Sequence, residues 1–433
     1  AYHRVFFDEM QSVLKHLHDA VGKSRIVLNV RQAFEKLWIV NAMLNLKYTL
    51  RTKNIFLLDS SVIAGKPVII AAAGPSLGDE LENLKQIKQD GSAYIVSVGS
   101  AVKTLIKHNI FPDMALSYDP QFYNVKVFDE VIKRKLPIPL VFGTTVGYTT
   151  LPNYPGPMFH MFTDKDPISP YLLKDSSGLS IPKVKDAPSI AVIAIQLFAM
   201  LGANPIIFAG QNLAFRNDRY YAVGIDYGEK WNKMVKREIE SGFFTEDVYG
   251  NMIRTNRPFM MMREQIEHYI EVFKETEYIN TTKGGAAIKG APFQELCEVM
   301  RAKMKSGAVL TDWMKYVGGD YQWDYLIVKS QQLDESLQAF WKTVEELQKH
   351  FKQIDKAIKY NSVRKMQKAL LSFNAAFREF QNNEFYRVLV RPLNLIQFEF
   401  TANEMKRINT EPNMFTRGKR TFEVIGKYVY ECA

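Results

Sequence analysis

The strongest constraint on the fold is an alternation of short apolar segments with longer amphipathic ones between residues 68 and 280. Short apolar runs bounded by turn residues indicate buried strands, and strands that alternate with helices indicate a parallel sheet with crossover helices. The predicted strands are Val68–Ala73, Tyr94–Val98, Met114–Ser117, Pro139–Phe142, Met158–Phe162, Pro205–Ala209 and Tyr278–Asn280. The predicted helices are Leu77–Lys88, Ala101–His108, Ser189–Leu201, Phe259–Lys274 and Pro292–Met304. The predicted fold class is therefore α/β, with a Rossmann-like, mostly parallel sheet.

The C-terminal part of the chain has a different periodicity. Apolar residues follow one another in steps of four and three from Leu333 to Ile358, which is a heptad seam on one long helix. A second run, from Val363 to Phe380, repeats the pattern, and a third apolar segment, Phe385–Phe400, contains Pro392 as a predicted break. This part is therefore predicted to be an all-α helical bundle.

Three domains follow from these patterns. Residues 1–60 have helical spacing and are expected to be either the end of a truncated preceding domain or a packing arm. The chain begins with Ala, which favours a fragment. Residues 61–305 form the predicted α/β domain, and residues 306–433 form the C-terminal helical domain.

Composition excludes several classes of protein. With 47% hydrophobic and 24% charged residues among 433, the chain is globular rather than disordered. Two cysteines cannot form a disulfide framework, and no apolar run reaches about 18 residues, so we expect a cytoplasmic protein without a transmembrane segment. The histidines are scattered and the cysteines lack ligand spacing, so no metal site is predicted.

The net charge of +10 indicates anionic partners. Residues 301–433 hold +7 of it, with 22 Lys and Arg against 15 Asp and Glu. The aromatic residues between these lysines occupy heptad positions, which makes them core residues first. We therefore predict no nucleic-acid binding, and an acceptor-docking surface accounts better for the charge.

The sharpest local motif is the first strand with the turn that follows it, Gly74-Pro75-Ser76-Leu77. Small residues let a ligand approach the backbone, and a serine at a helix start exposes amide groups to an anion. A phosphate site and an ordinary strand–turn–helix explain the motif equally well. It is neither a Walker loop nor a dinucleotide fingerprint.

Other strand ends carry small or polar residues too. In open parallel sheets ligands bind beyond the carboxyl ends of the strands, so we predict one shared polar cleft, the alternative being that loops are simply polar. A second glycine-rich loop spans residues 281–290 and carries Lys283 and Lys289, which suit an anionic ligand if the loop is not merely a flexible connector. The cleft residues at the strand ends are Gly99, Ser100, Asp119, Gly210, Gln211 and Asn212, with Thr281, Thr282, Gly284 and Gly285 from the loop.

Together these motifs resemble the motility-associated factor (Maf) family of flagellin glycosyltransferases over residues 25–305. The resemblance is carried by residues 72–77, Gly210–Phe215, Tyr249-Gly250-Asn251 and residues 280–290. A more distant resemblance, through Gly74–Leu77 and Ser189–Asn212, is to bacterial sialyltransferases that use CMP-activated sugars. This resemblance implies a sialyltransferase-like fold.

The resemblance also implies where the nucleotide sugar binds and what is transferred. The CMP-binding roles would fall on Gly74, Ser76, Ser100, Asp119 and Ser189, with Pro75 and Leu77 in the same turn. The implied reaction is an inverting, metal-independent transfer of a nonulosonic acid, pseudaminic or legionaminic, from its CMP donor to Ser or Thr of flagellin. No cofactor is implied, and the biological setting is bacterial flagellar motility.

The sequence departs from the related patterns at the positions where a general base would be expected. No histidine lies between residues 161 and 267, position 212 is Asn instead of Asp, and position 283 is Lys instead of Glu. The general base is therefore not identified. The weak candidates are Asp226, Glu229, Glu246 and Asp247, each of which also fits a solvated surface carboxylate.

Two other functions remain open. An archaeal pterin diphosphokinase-like enzyme uses a related core with ATP and Mg²⁺, but such an activity gives no reason for the C-terminal helices. A non-catalytic flagellin-binding or assembly protein is the third possibility, and the departures at Asn212 and Lys283 leave it open.

Overall fold

The computed structural model describes residues 6–223, 225 and 228–433. The chain divides into two compact units. One comprises Asn41–Gln322 and contains the sheets. The other combines Ala1–Val40 with Trp323–Ala433 and, in its described residues, is helical.

A parallel sheet forms the centre of the first unit, as the sequence predicts. The strands are β1 Lys53–Asn54, β2 Val68–Ala71, β3 Tyr94–Val98, β4 Met114–Ser117, β5 Leu140–Gly143, β6 Met158–Thr163, β7 Lys183–Val184, β8 Ile206–Ala209, β9 Phe243–Glu246, β10 Met252–Thr255 and β11 Tyr278–Asn280. The order in the sheet is β1-β6-β5-β4-β3-β2-β8-β11, and β7 also pairs with β6; every pairing among these described strands is parallel. A separate antiparallel hairpin joins β9 to β10.

Helices cover both faces of this sheet, which explains why its central strands are continuously apolar. Along β2, Val68 and Ile70 pack into one hydrophobic core while Ile69 and Ala71 pack into the other, because successive side chains of a strand point to opposite faces. The α-helices of this unit, besides the end of the first helix, are Ser60–Ile63, Leu81–Asp90, Ala101–Lys107, Asp129–Lys133, Ser169–Leu172, Ile190–Met200, Glu229–Glu240, Arg257–Val272 and Leu296–Lys303.

The α/β unit takes in segments on both sides of the predicted range 61–305. Before it, β1 pairs with β6, and after it, Trp313 and Val317 are buried in the sheet's core. The Val317 carbonyl also accepts a hydrogen bond from Lys53 Nζ at 2.7 Å. These segments lack a long apolar run, so their packing is visible only in the folded chain.

The C-terminal helices confirm the predicted all-α region. Phe340, Val344 and Leu347 of the heptad seam on the helix Trp323–Lys359 are buried against the helix Val363–Asn382. The third apolar segment is interrupted at Asn394, two residues after Pro392. The remaining α-helices of this unit are Phe7–Thr49, which continues into the first unit, and Arg391–Leu393, Leu395–Asn409, Met414–Arg420 and Gly426–Cys432. No helix among the described residues is long and apolar enough to cross a membrane.

Candidate functional site

The topology of the sheet creates one crevice at its carboxyl edge. From β2 the chain proceeds through β3 to β6 on one side, whereas β8 and β11 lie on the other side of β2. The direction of winding therefore reverses between β2 and β8. In open α/β sheets this reversal leaves a gap between the loops that follow the two strands, and ligands bind there.

The two loops approach each other so closely that only glycine fits. Gly74, after β2, donates its amide to the Gly210 carbonyl at 2.9 Å. A Cβ atom on Gly74 would lie 2.3 Å from that oxygen and 2.4 Å from Asn212 Oδ1. Gly210 has a positive φ of 70°, and a Cβ there would lie 2.4 Å from the Ala72 carbonyl oxygen. The glycines that follow β2 and β8 therefore lie in direct contact, and neither position has room for a side chain.

Asn212 connects the two loops through its side chain. Its Oδ1 accepts hydrogen bonds from the Ser76 amide at 3.0 Å and the Ser76 hydroxyl at 2.9 Å. Its Nδ2 and the neighbouring Gln211 Oε1 are buried polar atoms without a protein partner. Buried polar groups are normally paired, so a donor and an acceptor remain available to a ligand at this point.

The second glycine-rich loop lines the same crevice. Thr282 Oγ1 accepts a hydrogen bond from the Gln211 amide at 3.1 Å, and the Ala286 amide donates to the Asn212 carbonyl at 2.8 Å. A Cβ on Gly285 would lie 3.1 Å from Asn212 Cα. The structure thus brings residues 74–76, 210–212 and 281–286 together, as the predicted shared cleft requires.

Cations lie beside the crevice, but acidic residues neutralise them. Lys283 Nζ is 2.9 Å from Glu80 Oε1 and 3.1 Å from Glu295 Oε2. Burial alone would lower the pKa of Lys283, but the hydrogen bonds and charges of the two glutamates outweigh it and raise the pKa. Arg216 forms an ion pair with Asp79. The lysine expected to attract an anion is therefore held by protein carboxylates in this structure.

The remaining predicted residues lie at neighbouring strand ends. After β3, Gly99 has a positive φ of 53°, and a Cβ there would lie 3.7 Å from Ile190. Ile190 is the first residue of the helix Ile190–Met200. Ser189 is the N-cap of this helix, and its Oγ accepts a hydrogen bond from the Ala191 amide. Ser100, just after Gly99, is buried. The helix capped by Ser189 thus brings its N-terminus to the end of β3.

Asp119 follows β4, two strands away from β2. Burial raises the pKa of Asp119, and a hydrogen bond at 2.9 Å from the Gln121 amide to its Oδ1 opposes that effect. One oxygen of Asp119 is therefore engaged in a turn, and its carboxyl group holds a proton more readily than usual.

The weak candidates for the general base differ in their surroundings. Asp247 is buried, and its Oδ1 accepts hydrogen bonds from the amides of Tyr249 and Asn251, both at 2.8 Å, so it stabilises the β9–β10 turn. Glu246 and Glu229 are exposed. Asp226 lies outside the described residues. This hairpin was not predicted because β9 has no buried apolar run: Phe243 and Phe244 are both exposed.

Sequence reasoning missed a carboxylate at the same edge of the sheet. Asp186 follows β7, and its amide donates to Asp164 Oδ1 at 2.8 Å. Burial raises the pKa of Asp186 to about 6, against an opposing hydrogen bond from the Ala187 amide. The strand β7 has only two residues, so the sequence does not reveal it. The position of Asp186, three residues before the helix cap Ser189, was the local signal that could have identified it.

Among the described residues, no group of three or more His, Cys, Asp or Glu side chains has the geometry to hold a metal ion. The family described as "MptE-like: 6-hydroxymethylpterin diphosphokinase MptE-like" matches residues 40–218, which include Gly74, Gly99, Asp119 and Asn212. No curated protein matches the sequence.

The fold is similar to a solved structure of a Maf glycosyltransferase from Magnetospirillum magneticum AMB-1. The similarity covers 92% of this chain and 59% of that chain, with a TM-score of 0.59 and 14% sequence identity. The predicted resemblance is therefore confirmed at the level of the fold. The chain spans about three fifths of the length of that structure.

Proposed function

We propose that the protein is a glycosyltransferase that transfers a nonulosonic acid from a CMP-activated donor to Ser or Thr hydroxyls of flagellin in the cytoplasm. The observation that carries the proposal is the crevice between β2 and β8, in which Gly74, Ser76 and Asn212 converge at the topological switch point. The similarity in fold to a Maf glycosyltransferase supports the reaction class.

In this proposal the phosphate of CMP lies beside the 74–76 turn. The tight approach of Gly74 to Gly210 leaves no side chain in the way of the ligand. The Gly74 amide donates to the Gly210 carbonyl, the Ser76 amide donates to Asn212 Oδ1, and Pro75 has no amide hydrogen, so these backbone groups hold the turn itself. Asn212 Nδ2 and Gln211 Oε1 supply one donor and one acceptor for the nucleoside.

The acceptor hydroxyl needs a base, and two aspartates at the carboxyl edge of the sheet suit this role. Burial raises the pKa of both Asp119 and Asp186, the latter to about 6. A base whose pKa lies near the working pH accepts a proton most effectively, and this argument applies to Asp186. A pH–rate profile whose acidic limb disappears in Asp186→Asn but persists in Asp119→Asn would assign the role to Asp186, and the converse to Asp119.

The first test is nucleotide binding, measured by calorimetry. Ser76→Ala removes the hydroxyl that holds Asn212, so the affinity for CMP should fall about five- to tenfold, in line with one hydrogen bond of roughly 1 kcal/mol. Asn212→Ala removes both the oxygen that accepts hydrogen bonds from Ser76 and the Nδ2 donor, so the loss should be larger.

The matched control is Ser177→Ala. The Ser177 hydroxyl also donates to a side-chain oxygen, that of Asp175, but it is exposed and belongs to another loop. Its loss should leave the affinity for CMP unchanged. Equal affinities in all three variants would show that CMP does not bind at this crevice.

The decisive test is the mass of flagellin coexpressed with this protein and a pathway that makes a CMP-nonulosonic acid. Each transferred sugar adds its residue mass to flagellin, and Asn212→Ala should reduce that addition. Unmodified flagellin, together with CMP binding, would favour the non-catalytic flagellin-binding protein.

A pterin diphosphokinase-like activity is the second candidate, favoured by the family match over residues 40–218. It requires ATP with Mg²⁺ in the same crevice. Thermal stabilisation by ATP with Mg²⁺ but not by CMP would support this candidate and contradict the glycosyltransferase.

A further inference from the structure

Two arginines flank a tight turn in the segment that follows β8. Asn217 and Asp218 form the turn, both with a positive φ of 53°, and Arg216 and Arg219 on either side form an antiparallel bridge. Asparagine and aspartate adopt this left-handed conformation more readily than most residues with a side chain. Residues opposite each other in an antiparallel pair lie on the same face, with Cβ atoms about 5 Å apart. The turn therefore places the two arginine side chains next to each other.

This arginine pair lies at the rim of the crevice. Arg216 forms an ion pair with Asp79, which belongs to the short helix Pro75–Glu80 after β2. A Cβ atom on Gly284, in the second glycine-rich loop, would lie 3.5 Å from Arg216 Nε, so the arginine side chain packs beside the backbone of that loop. Arg216 therefore reaches from the segment after β8 to the two other segments that line the crevice.

The arginine pair has hydrogen-bond donors to spare. A guanidinium group has five N–H donors, and Arg216 directs Nη1 to Asp79. Neither Arg219 nor the exposed Asp218 forms an ion pair with a residue that the structure describes. The side chains of Arg216 and Asp79 are 30% and 38% exposed, and exposed ion pairs are weak, so an anion can replace Asp79 at little cost.

A phosphate group in the crevice needs donors of this kind, because the neighbouring ones are engaged. The amides of Gly74 and Ser76 donate to Gly210 and Asn212. The ammonium group of Lys283 is held between two glutamates. Arginine suits the role because its planar guanidinium group forms paired hydrogen bonds with phosphate oxygens.

We propose that Arg216 and Arg219 bind the phosphate of a nucleotide in the crevice, and that Asp79 occupies Arg216 until the nucleotide displaces it. The inference rests on the proposed function, because it takes a nucleotide as the ligand. Two adjacent like charges on a strand pair are unfavourable, and an anion between them removes this repulsion. The carboxylate of Asp79 holds the place of a phosphate oxygen in this arrangement.

Calorimetry with CMP and with cytidine tests the arginine pair. Arg216→Gln and Arg219→Gln should each lower the affinity for CMP about tenfold or more, as loss of a charged hydrogen bond does. The affinity for cytidine, which lacks the phosphate, should not change. Asp79→Asn should raise the affinity for CMP about two- to fivefold, because it frees Arg216 from an exposed ion pair. A fall in affinity in Asp79→Asn would show that the ion pair only holds the two loops together, and would overturn the proposal.

Lys303→Gln is the matched control. Lys303 also forms a partly exposed ion pair, with Glu277 at 3.0 Å, but Glu277 comes directly before β11, at the amino edge of the sheet. Loss of one positive charge there should leave the affinity for CMP unchanged. An equal loss of affinity in Lys303→Gln and Arg219→Gln would show a general effect of charge and contradict the site.

Inorganic pyrophosphate separates the arginine site from the proposed function. If CMP binds equally to the unmodified chain and to both arginine variants, the arginine proposal fails and the proposed function stands. If pyrophosphate raises the melting temperature of the unmodified chain but not of Arg216→Gln with Arg219→Gln, while CMP does not bind, the arginine pair binds phosphate and the CMP-dependent function fails. If neither CMP nor pyrophosphate binds, both fail.

Discussion

The close approach of Gly74 to Gly210 makes Gly74→Ala the sharpest test of the crevice. The φ of Gly74 is −70°, which alanine adopts freely, so any effect must come from the added methyl group. That group would lie 2.3 Å from the Gly210 carbonyl oxygen, about 1 Å closer than carbon and oxygen normally approach. The two loops would therefore have to separate.

The size of the effect follows from the contacts that this separation breaks. Overpacking costs about 1–3 kcal/mol, and loss of the two hydrogen bonds from Ser76 to Asn212 Oδ1 adds about 1 kcal/mol each. The smaller conformational entropy of unfolded alanine offsets about 0.5–1 kcal/mol. We expect the free energy of unfolding of the α/β unit to fall by about 2–4 kcal/mol, and CMP binding to be lost.

Urea denaturation followed by tryptophan fluorescence measures this change, because Trp313 is buried in the core of the same unit. Gly78→Ala is the control. It lies in the same short helix, Pro75–Glu80, and its added Cβ would have no atom within 4 Å, so its stability should be unchanged or slightly higher. A Gly74→Ala protein within about 0.5 kcal/mol of the unmodified one would refute the reasoning.

Three further predictions concern other parts of the chain. Because burial raises the pKa of Asp186 from 3.8 to about 6, its ionisation destabilises the fold increasingly between these pH values. Asp186→Asn should therefore raise the free energy of unfolding by up to about 3 kcal/mol at pH 7 and leave it unchanged near pH 4. An equal gain at both pH values would contradict this. Lys283→Met leaves the buried Glu80 without its cation and should lower the stability by about 3–5 kcal/mol, whereas Lys289→Met, 81% exposed, should have no measurable effect in the same urea titration. Phe380→Ala creates a cavity in the C-terminal helices and should cost about 3–5 kcal/mol, measured by loss of helical circular dichroism; a cost below about 1 kcal/mol would show that the ring is not packed as described.

Most of the sheet could be predicted because its strands are local apolar runs with definite ends. Tyr94–Val98, Met114–Ser117 and Tyr278–Asn280 have the predicted bounds. By contrast, β1 and β7 have two residues each, so they carry no periodicity and exist only because β6 offers them hydrogen-bonding groups.

The sequence by itself determined the fold class, the C-terminal heptad seam and the small residues at the strand ends, because each is a local pattern of burial or backbone freedom. Only the tertiary structure decided how these residues combine. The hydrogen bonds from Ser76 to Asn212 join positions 136 residues apart, and the order of the strands alone brings them together. The same holds for Lys283, which glutamates from two other segments neutralise, and for Asp186, whose pKa is raised by a burial that the local sequence does not reveal.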